Sequence, residues 1–330
     1  MRLIFMGTPA FAVPSLTRLL QAGHEVTLVV TQPDRPAGRG KALRTPAVKR
    51  AAEEAGLSVI QPVKIGDAEV VGRLRQARPE VLALVAFGQL LPRAILEIPP
   101  QGCFNVHASL LPKYRGPAPI PWALIRGETV TGVTIMEIVE VMDAGPILLQ
   151  RKISIAAEDT AGTLEDRLAP LGAEALIETL RAVERGEVTK SPQNEAEATY
   201  APRLPPDIGR LRWSRSAGDL WNLVRGLAPQ PGAHTFYRGR LVRVLGAQPL
   251  PGDHPTRAGT IVGVRKGMGV EVATGQGTLL LTRLQPEGRR VMTAEEFSRG
   301  YRAEVGSAFV STREESATPR PGDSRPGRAG

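Results

Sequence analysis

Two polar side chains, Asn105 and His107, stand two residues apart at the end of an apolar run. Because alternate residues of a β-strand project to the same face, the amide and the imidazole would be aimed together. Such a pair could stabilise the oxyanion of a tetrahedral intermediate, a role worth about 3 kcal/mol per hydrogen-bond donor in other enzymes. A hydrogen-bonded histidine in the core is the alternative interpretation, and it is the more common one for such a pair taken alone.

An acid, Asp143, follows in a turn that contains glycine and proline, residues 142–146. Aspartate is a frequent turn residue, so Asp143 taken singly has a structural explanation. The combination of Asn105, His107 and Asp143 on one α/β sheet instead favours a catalytic interpretation.

Other nucleophiles and metal ligands are sparse. The one cysteine, Cys103, lies in an apolar stretch, where a small buried residue is expected, and a single cysteine fits the reducing cytoplasm. The histidines His24, His234 and His254 have no companions at metal-ligand spacing. We therefore predict no structural or catalytic metal.

The elements that must position these residues follow from the hydropathy pattern. Apolar, β-branched runs such as 2–7 and 81–87 alternate with stretches of helical spacing, which predicts a Rossmann-like, doubly wound, mostly parallel α/β sheet. Ligands of such sheets bind at the carboxyl ends of strands, where Asn105 and His107 stand. Residues 7–12 lack the Gly-x-Gly-x-x-Gly pattern, so no dinucleotide is expected.

A second domain is predicted beyond a polar stretch that contains several prolines. Leucines at helical spacing precede this stretch, and Pro170 is expected to split their helix. Short runs punctuated by glycine, from residue 233 onward, predict a small antiparallel β-barrel of the OB-like kind. The predicted organisation is an α/β domain over residues 1–190, a linker over 191–206, the barrel over 207–310 and a disordered tail over 311–330.

Positive charge is concentrated in two places. Residues 1–200 carry 22 basic and 22 acidic side chains, whereas the rest of the chain carries 20 and 11. This excess is typical of a protein with an anionic partner such as nucleic acid, although an arginine-rich solvated surface has the same composition. No run of about 18 apolar residues occurs, so no membrane span is expected.

The other concentration is a loop at residues 34–50, with six basic side chains against one acid. Glycines at 38 and 40 would let such a loop move and contact phosphates, and an ordinary solvated loop is the alternative. Its Gly-x-Gly-Lys sequence lacks the wide glycine spacing and the Ser or Thr of a Walker phosphate-binding motif. We therefore predict no nucleoside triphosphate site there.

The sequence resembles the methionyl-tRNA formyltransferases, within the wider group of enzymes that use 10-formyltetrahydrofolate. The resemblance covers about residues 1–310 and is carried by motifs at 6–9, 31–41, 105–112, 115–119, 132–136 and 142–145. Two positions depart from the family pattern. Ala108 stands where glycine is common, and Gln230 replaces the tryptophan of a Pro-Trp-Pro-Gly signature.

The resemblance implies a reaction and a role for each group. The formyl group of 10-formyltetrahydrofolate would pass to the α-amine of methionine on initiator methionyl-tRNA. Asn105 and His107 would hold the oxyanion, and Asp143 would orient or charge the imidazole and help to remove the proton from the amine. No covalent intermediate on Cys103 is needed.

The resemblance also implies contact residues. The implied folate contacts are Phe87, Gly88, Leu90, Ser109, Leu110, Leu111 and Pro112. The implied tRNA contacts are Arg39, Lys41 and Arg44. A cytoplasmic monomer is the expected state.

Two other functions are compatible with these residues. Formyl transfer to a small amine, such as a purine-precursor ribotide or a nucleotide sugar, would use the same three groups, although the basic C-terminal half and the 34–50 loop favour RNA. A non-enzymatic RNA-binding protein is the second alternative, and the presence of all three polar residues argues against it.

Overall fold

The computed structural model describes residues 1–37, 42–313 and 315. The chain forms two compact units. The first comprises Met1–Ala123, Glu128–Ala157 and Thr163–Arg203, and the second comprises Leu124–Gly127, Glu158–Gly162 and the chain from Leu204 onward. Among the described residues, no helix has the length and the apolar character needed to cross a membrane.

The first unit contains two sheets. Their strands are β1 (Arg2–Gly7), β2 (Glu25–Val30), β3 (Arg35–Ala37), β4 (Ala42–Arg44), β5 (Val59–Ile60), β6 (Val81–Val85), β7 (Cys103–His107), β8 (Val130–Glu137) and β9 (Ile147–Ser154). Seven strands form one sheet in the order β5-β2-β1-β6-β7-β8-β9, and β3 pairs with β4 in a hairpin. The pairs β7·β8 and β8·β9 are antiparallel and the other pairs of the large sheet are parallel. The predicted mostly parallel, doubly wound sheet is confirmed.

The direction in which strands are added reverses between β1 and β6. The order runs from β1 to β2 and β5 on one side, and through β6 to β7 on the other. Thr8, directly after β1, donates a hydrogen bond of 3.0 Å from Oγ1 to the carbonyl of Phe87, just beyond β6. Because ligands of doubly wound sheets bind at such a reversal, the ends of β1, β6 and β7 mark the place of the site.

Helices accompany these strands along the chain. They are α1 (Val13–Gln21), α2 (Ala47–Glu54), α3 (Ala68–Gln76), α4 (Arg93–Leu96), α5 (Pro119–Ile125) and α6 (Ala161–Glu184). The central strand β1 is apolar at four consecutive positions, Leu3 to Met6, and each of them is fully buried. Burial of both faces of the sheet accounts for a strand without polar alternation.

The predicted break at Pro170 is wrong, because α6 is continuous over 24 residues with Pro170 inside it. Proline in a helix interior costs about 3 kcal/mol, since it removes one hydrogen bond and crowds the preceding turn. The apolar face of α6 offsets this cost, because each fully buried leucine contributes about 2 kcal/mol. The fully buried leucines are Leu164, Leu168, Leu176 and Leu180.

The second unit is an antiparallel sheet with two helices. Its elements are α7 (Ala217–Gly226), β10 (Ala233–Tyr237), β11 (Arg240–Leu250), β12 (Ile261–Arg265), β13 (Gly269–Ala273), β14 (Thr278–Pro286), β15 (Met292–Thr293) and α8 (Ala294–Tyr301). The strand order is β10-β11-β14-β13-β12, with β15 added to β14. Ser216 caps α7, and Thr293 with Glu296 forms a capping box at the start of α8.

Residues 306–310 close this sheet. The backbone of Val310 exchanges hydrogen bonds of 2.9 and 3.0 Å with Phe236 of β10, and Ile261 of β12 donates to the carbonyl of Ser307 at 2.7 Å. β10 and β12 are the two edges of the strand order, so one segment satisfies both. The predicted antiparallel β domain is confirmed, and this segment pairs with part of each edge, which reduces the exposed donors and acceptors of the sheet.

Candidate active site

Asn105 and His107 occupy β7, between β6 and β8. Asn105 pairs with Leu84 of β6, and His107 pairs with Thr134 of β8. All five residues of β7 are buried. Oδ1 of Asn105 is buried without a hydrogen-bond partner among the described residues. An unsatisfied buried oxygen is costly, and here it offers a hydrogen-bond acceptor to a molecule that enters the site.

The ring of His107 is held through one nitrogen. Nε2 lies 2.9 Å from the carbonyl oxygen of Tyr114. A carbonyl only accepts hydrogen bonds, so Nε2 carries the hydrogen, and in a neutral ring Nδ1 has the lone pair. The protein backbone thus selects Nδ1 as the nitrogen that takes up or releases a proton.

Asp143 meets this nitrogen from the loop between β8 and β9. Its Oδ2 lies 3.7 Å from Nδ1 of His107 and accepts a hydrogen bond of 2.7 Å from the amide of Gly116. The backbone of Asp143 has φ +52°, the left-handed conformation, and its side chain is 12% exposed. A distance of 3.7 Å is an ionic contact when the ring is protonated, and it is too long for a hydrogen bond. The structure thus brings together the three residues that the sequence singled out.

A glycine allows the Asp143 turn to approach β8. A Cβ added to Gly145 would lie 1.8 Å from the carbonyl oxygen of Glu137. No side chain fits in that space, so the turn needs glycine at this position. Packing therefore requires glycine at position 145 of the turn.

Sequence reasoning assigned no role to several residues that hold the site. Tyr114 contacts His107 and Gly116 contacts Asp143 through backbone atoms. A hydropathy pattern does not predict such backbone contacts. Gln193 donates from Nε2 to the carbonyls of Asp143 and Gly145, at 2.8 and 2.7 Å. It lies in the polar stretch at 191–206, where nothing in the spacing separates a functional glutamine from a solvated one.

The first group of predicted folate contacts lies at the carboxyl end of β6. Phe87 is fully buried, and Gly88 has φ +93°. Leu90 is 65% exposed, unusual for a large apolar side chain beside a site. An exposed leucine, a backbone position without Cβ and the unpartnered Oδ1 of Asn105 suit a flat ring system that carries hydrogen-bond donors at its edge, so these residues would fit a folate.

The second group, residues 109–112, is stabilised by its own hydrogen bonds. Ser109 donates from Oγ to the carbonyl of Lys113 at 2.6 Å. The amide of Leu111 donates to Thr134 at 3.1 Å, and its carbonyl accepts from Gln150 at 2.8 Å. Leu110 and Pro112 lie in the same short loop. The polar groups of Ser109 and Leu111 thus fix the shape of the loop.

The cationic loop is only partly described. Arg39 and Lys41 lie outside the described residues, and Arg44 is exposed on β4, opposite Arg35 of β3. At the base of the hairpin, Asp34 accepts hydrogen bonds from Gln61 at 2.8 Å and Lys49 at 3.0 Å, and these bonds lower the pKa of Asp34. The hydrogen bonds of Asp34 therefore hold the start of the hairpin.

Cys103 stands two residues before Asn105, and its thiol is unreactive. It is buried, and its burial raises the pKa to about 12. A thiol with that pKa remains protonated at neutral pH and is a poor nucleophile. Within the described ranges, no group of three or more His, Cys, Asp or Glu side chains could hold a metal ion.

Two protein-family models match the chain. The model described as "Formyl transferase" matches residues 1–180 and that described as "Formyl transferase, C-terminal domain" matches residues 203–302. Curated relatives include the methionyl-tRNA formyltransferase of Thermodesulfovibrio yellowstonii, 47% identical over 92% of this chain and 97% of its own length. The protein of the same name from Moorella thermoacetica is 48% identical over 91% of this chain and 96% of its own length.

Solved structures share the fold at low sequence identity. An N-formyltransferase from Helicobacter canadensis, in complex with folinic acid and dTDP-3-aminofucose, superposes with a TM-score of 0.65 at 18% identity, over 85% of this chain and 98% of its own. HypX from Aquifex aeolicus, in complex with tetrahydrofolic acid, has a TM-score of 0.64 at 18% identity, over 92% of this chain and 48% of its own. At such identity the likeness concerns the fold alone.

Proposed function

The chain belongs to the formyl transferase family, and we propose that it transfers the formyl group of 10-formyltetrahydrofolate to the α-amino group of methionine on initiator methionyl-tRNA. The observation that carries the chemistry is the constellation at the end of β7, where Nδ1 of His107 faces Asp143 and the buried Oδ1 of Asn105 has no partner among the described residues. Relatives similar over nearly the whole chain support the acceptor.

The chain's own groups account for the catalytic steps. The folate supplies the formyl group when it is bound. As the neutral amine attacks the formyl carbon, the protonated Nδ1 of His107 and the Asn105 amide stabilise the developing oxyanion. Asp143 stabilises the charged imidazole at 3.7 Å and accepts the proton that leaves the amine, directly or through water. His107 then gives its proton to the folate nitrogen as the bond between that nitrogen and the formyl carbon breaks, so that tetrahydrofolate leaves as a neutral amine. The proton held by Asp143 restores the charged ring.

The donor pocket is assigned to the edge of the sheet beside β6 and β7. Phe87, Gly88 and Leu90 would line it from one loop, and residues 109–112 from the other. Since Ser109 and Leu111 use their polar groups inside their loop, we infer that this loop contributes shape and apolar contact. Asn105 and backbone groups near Gly88 would then form the specific hydrogen bonds to the folate.

The acceptor is assigned to the cationic surfaces. In the first unit, Arg44 lies on β4, and Arg39 and Lys41 precede it in the sequence. Phosphate contacts are the natural role of such a basic segment. In the second unit, three arginines and two tyrosines line a cleft of about 540 Å³. They are Arg238, Arg240, Arg289, Tyr237 and Tyr301. The rings of both tyrosines pack against Phe297, so the three arginines are the groups that would meet the phosphates of a nucleic-acid backbone.

This proposal assigns a role to each predicted domain. Residues 1–190 would carry the chemistry, and residues 207–310 would bind the body of the tRNA. A monomer working in the cytoplasm, where charged tRNA and folate meet, is the proposed state.

Formyl transfer from 10-formyltetrahydrofolate tests the proposal. The purified protein would be assayed with charged initiator methionyl-tRNA, charged elongator methionyl-tRNA and a small amine such as a purine-precursor ribotide or an amino-sugar nucleotide. Transfer to the initiator alone is expected. Turnover on only the small amine would overturn the proposed acceptor, and turnover on none of them would overturn the proposed chemistry.

A further inference from the structure

A single side chain holds the backbone of the Asp143 turn. Both carbonyls that flank residue 144 point at Gln193, which donates from Nε2 to Asp143 at 2.8 Å and to Gly145 at 2.7 Å. One amide group has two N–H bonds, and both are used here. Gln193 thus determines how the two ends of the turn face each other.

The orientation of the Gln193 amide is determined by its other side. Oε1 accepts from Nε and Nη2 of Arg115, at 3.0 and 2.8 Å. Arginine can only donate and the turn carbonyls can only accept, so exchanging the oxygen and nitrogen of Gln193 would break every one of these bonds. The contacts leave a single arrangement.

Arg115 is in turn held rigidly. Its side chain is 3% exposed and donates to both carboxylate oxygens of Glu195, at 2.7 and 2.9 Å. Bidentate pairing of this kind restricts both the position and the plane of the guanidinium. The buried charge of Arg115 is neutralised by an acid whose own side chain is 69% exposed.

The same strip of backbone holds the two catalytic candidates. Tyr114 accepts from His107, and Gly116 donates to Asp143. Arg115, between them, pairs with residues 199–201 through backbone hydrogen bonds of 2.8 and 2.7 Å. Asp143 is therefore held at its carboxylate by Gly116 and at its carbonyl through Gln193 and Arg115, which closes a ring of contacts.

We propose that Gln193 is a positioning residue for the formyl transfer, acting through the Asp143 turn and locked by Arg115 and Glu195. The inference rests on the proposed function for its catalytic consequence. The 3.7 Å between His107 and Asp143 is sensitive to small rotations of the turn. Misplacement of a catalytic group by about 1 Å can cost about a hundredfold in rate.

The test compares Gln193→Glu with Gln193→Ala. The glutamate keeps the shape and the acceptor for Arg115 but loses both donors and sets a carboxylate oxygen against two carbonyls. With 10-formyltetrahydrofolate and initiator methionyl-tRNA, both variants should lower kcat by about 10- to 100-fold. Neither KM should change by more than about twofold, since no substrate contact is removed.

Glu197→Gln is the matched control. It lies in the same short helical turn as Glu195, where its carboxylate accepts from Asn194. Its kcat should equal that of the unaltered protein. Glu195→Gln, which keeps an acceptor for Arg115 but removes its charged partner, should lower kcat by a smaller factor than Gln193→Glu.

Hydrogen exchange gives a readout that needs no activity. The amide of Gly116 donates to Asp143, so peptides covering residues 114–118 and 139–147 should exchange about tenfold faster in Gln193→Glu than in Glu197→Gln. Unchanged exchange together with unchanged kcat would overturn the inference, as would a loss confined to the KM for tRNA. Faster exchange in a protein that formylates no acceptor would instead overturn the proposed function and leave the positioning role standing.

Discussion

At the scale of single residues, the chemistry depends on which nitrogen of His107 is available. Nε2 is bonded to the carbonyl of Tyr114, and Nδ1 faces Asp143. The carboxylate can hold a positive charge on the ring because its own position is set by the Gly116 amide. At 3.7 Å, Asp143 acts on the His107 ring through its charge and not through a hydrogen bond.

Asp143→Asn separates charge from shape. The amide oxygen can still accept from Gly116, but the negative charge beside His107 is lost. We expect kcat to fall by about 10²- to 10³-fold, comparable to the loss of one oxyanion-stabilising group, while the Kd for tRNA is unchanged. Steady-state kinetics and a filter-binding assay check this, with exposed Asp166→Asn as the control. A kcat within threefold of the unaltered protein would exclude a role for the charge.

Replacing Asn105 should raise the stability of the protein and lower its activity. Its Oδ1 is buried without a partner in the described structure, and a buried unsatisfied polar atom costs about 1–3 kcal/mol. Asn105→Leu, similar in size, should remove that cost and raise the urea midpoint in the absence of folate, while formyl transfer falls by at least about a hundredfold. A clearly lower midpoint would mean that the amide is satisfied in the resting protein.

At the scale of elements, α6 is the support on which β7 rests. Gly172 of α6 lies against this strand, because a Cβ added there would be 2.7 Å from Cγ1 of Val106. Val106 separates Asn105 from His107, so the approach of the helix bears directly on the catalytic pair. Pro170, two residues earlier, is exposed, so a substitution there should not press on β7.

Two substitutions in α6 should therefore have different effects. Pro170→Ala restores a backbone donor to the helix, and the free energy of unfolding should rise by about 1–3 kcal/mol with activity unchanged. Gly172→Ala improves helix propensity but presses on Val106, and kcat should fall several-fold without a gain in stability. Urea denaturation and turnover on the same preparations check both. An active, stabilised Gly172→Ala would show that α6 can shift without disturbing β7.

At the scale of the whole molecule, the excess positive charge and the catalytic candidates belong to different parts of the sequence. The sequence from residue 201 onward has 20 basic and 11 acidic side chains, and three of these arginines converge on one cleft of the second unit. Under the proposed function, Asp143 would act on the aminoacyl end of the tRNA and the arginines of the cleft on its phosphates. Charge in the cleft should therefore affect affinity and leave the chemical step alone.

Salt dependence measures this division. Replacing Arg238, Arg240 or Arg289 by alanine should weaken tRNA binding and lower the slope of log Kd against log salt by about 1 for each phosphate that the variant no longer neutralises. Turnover at saturating tRNA should persist. Arg93→Ala is the control, because it changes the net charge equally. Arg93 lies on α4 and forms an ion pair with Glu97. Identical slopes in all four variants would exclude the cleft from the RNA surface.

The sequence by itself determined the kinds of elements and their order. Local patterns carry most of this, because a short apolar run that ends in glycine, such as Leu3 to Met6, is typical of a strand buried on both faces. The alternation of a strand likewise places Asn105 and His107 on one side. The motifs that the chain shares with the family predicted the reaction, because they contain the residues that would do the chemistry.

Only the tertiary structure decided how the groups act. The tautomer of His107 depends on a carbonyl seven residues away, and the position of Asp143 depends on the Gly116 amide and on Gln193, 27 and 50 residues away in sequence. The continuity of α6 through Pro170 reflects burial of leucines that no local rule weighs. Propensity and spacing describe neighbours along the chain, whereas these outcomes arise from contacts between segments that only folding brings together.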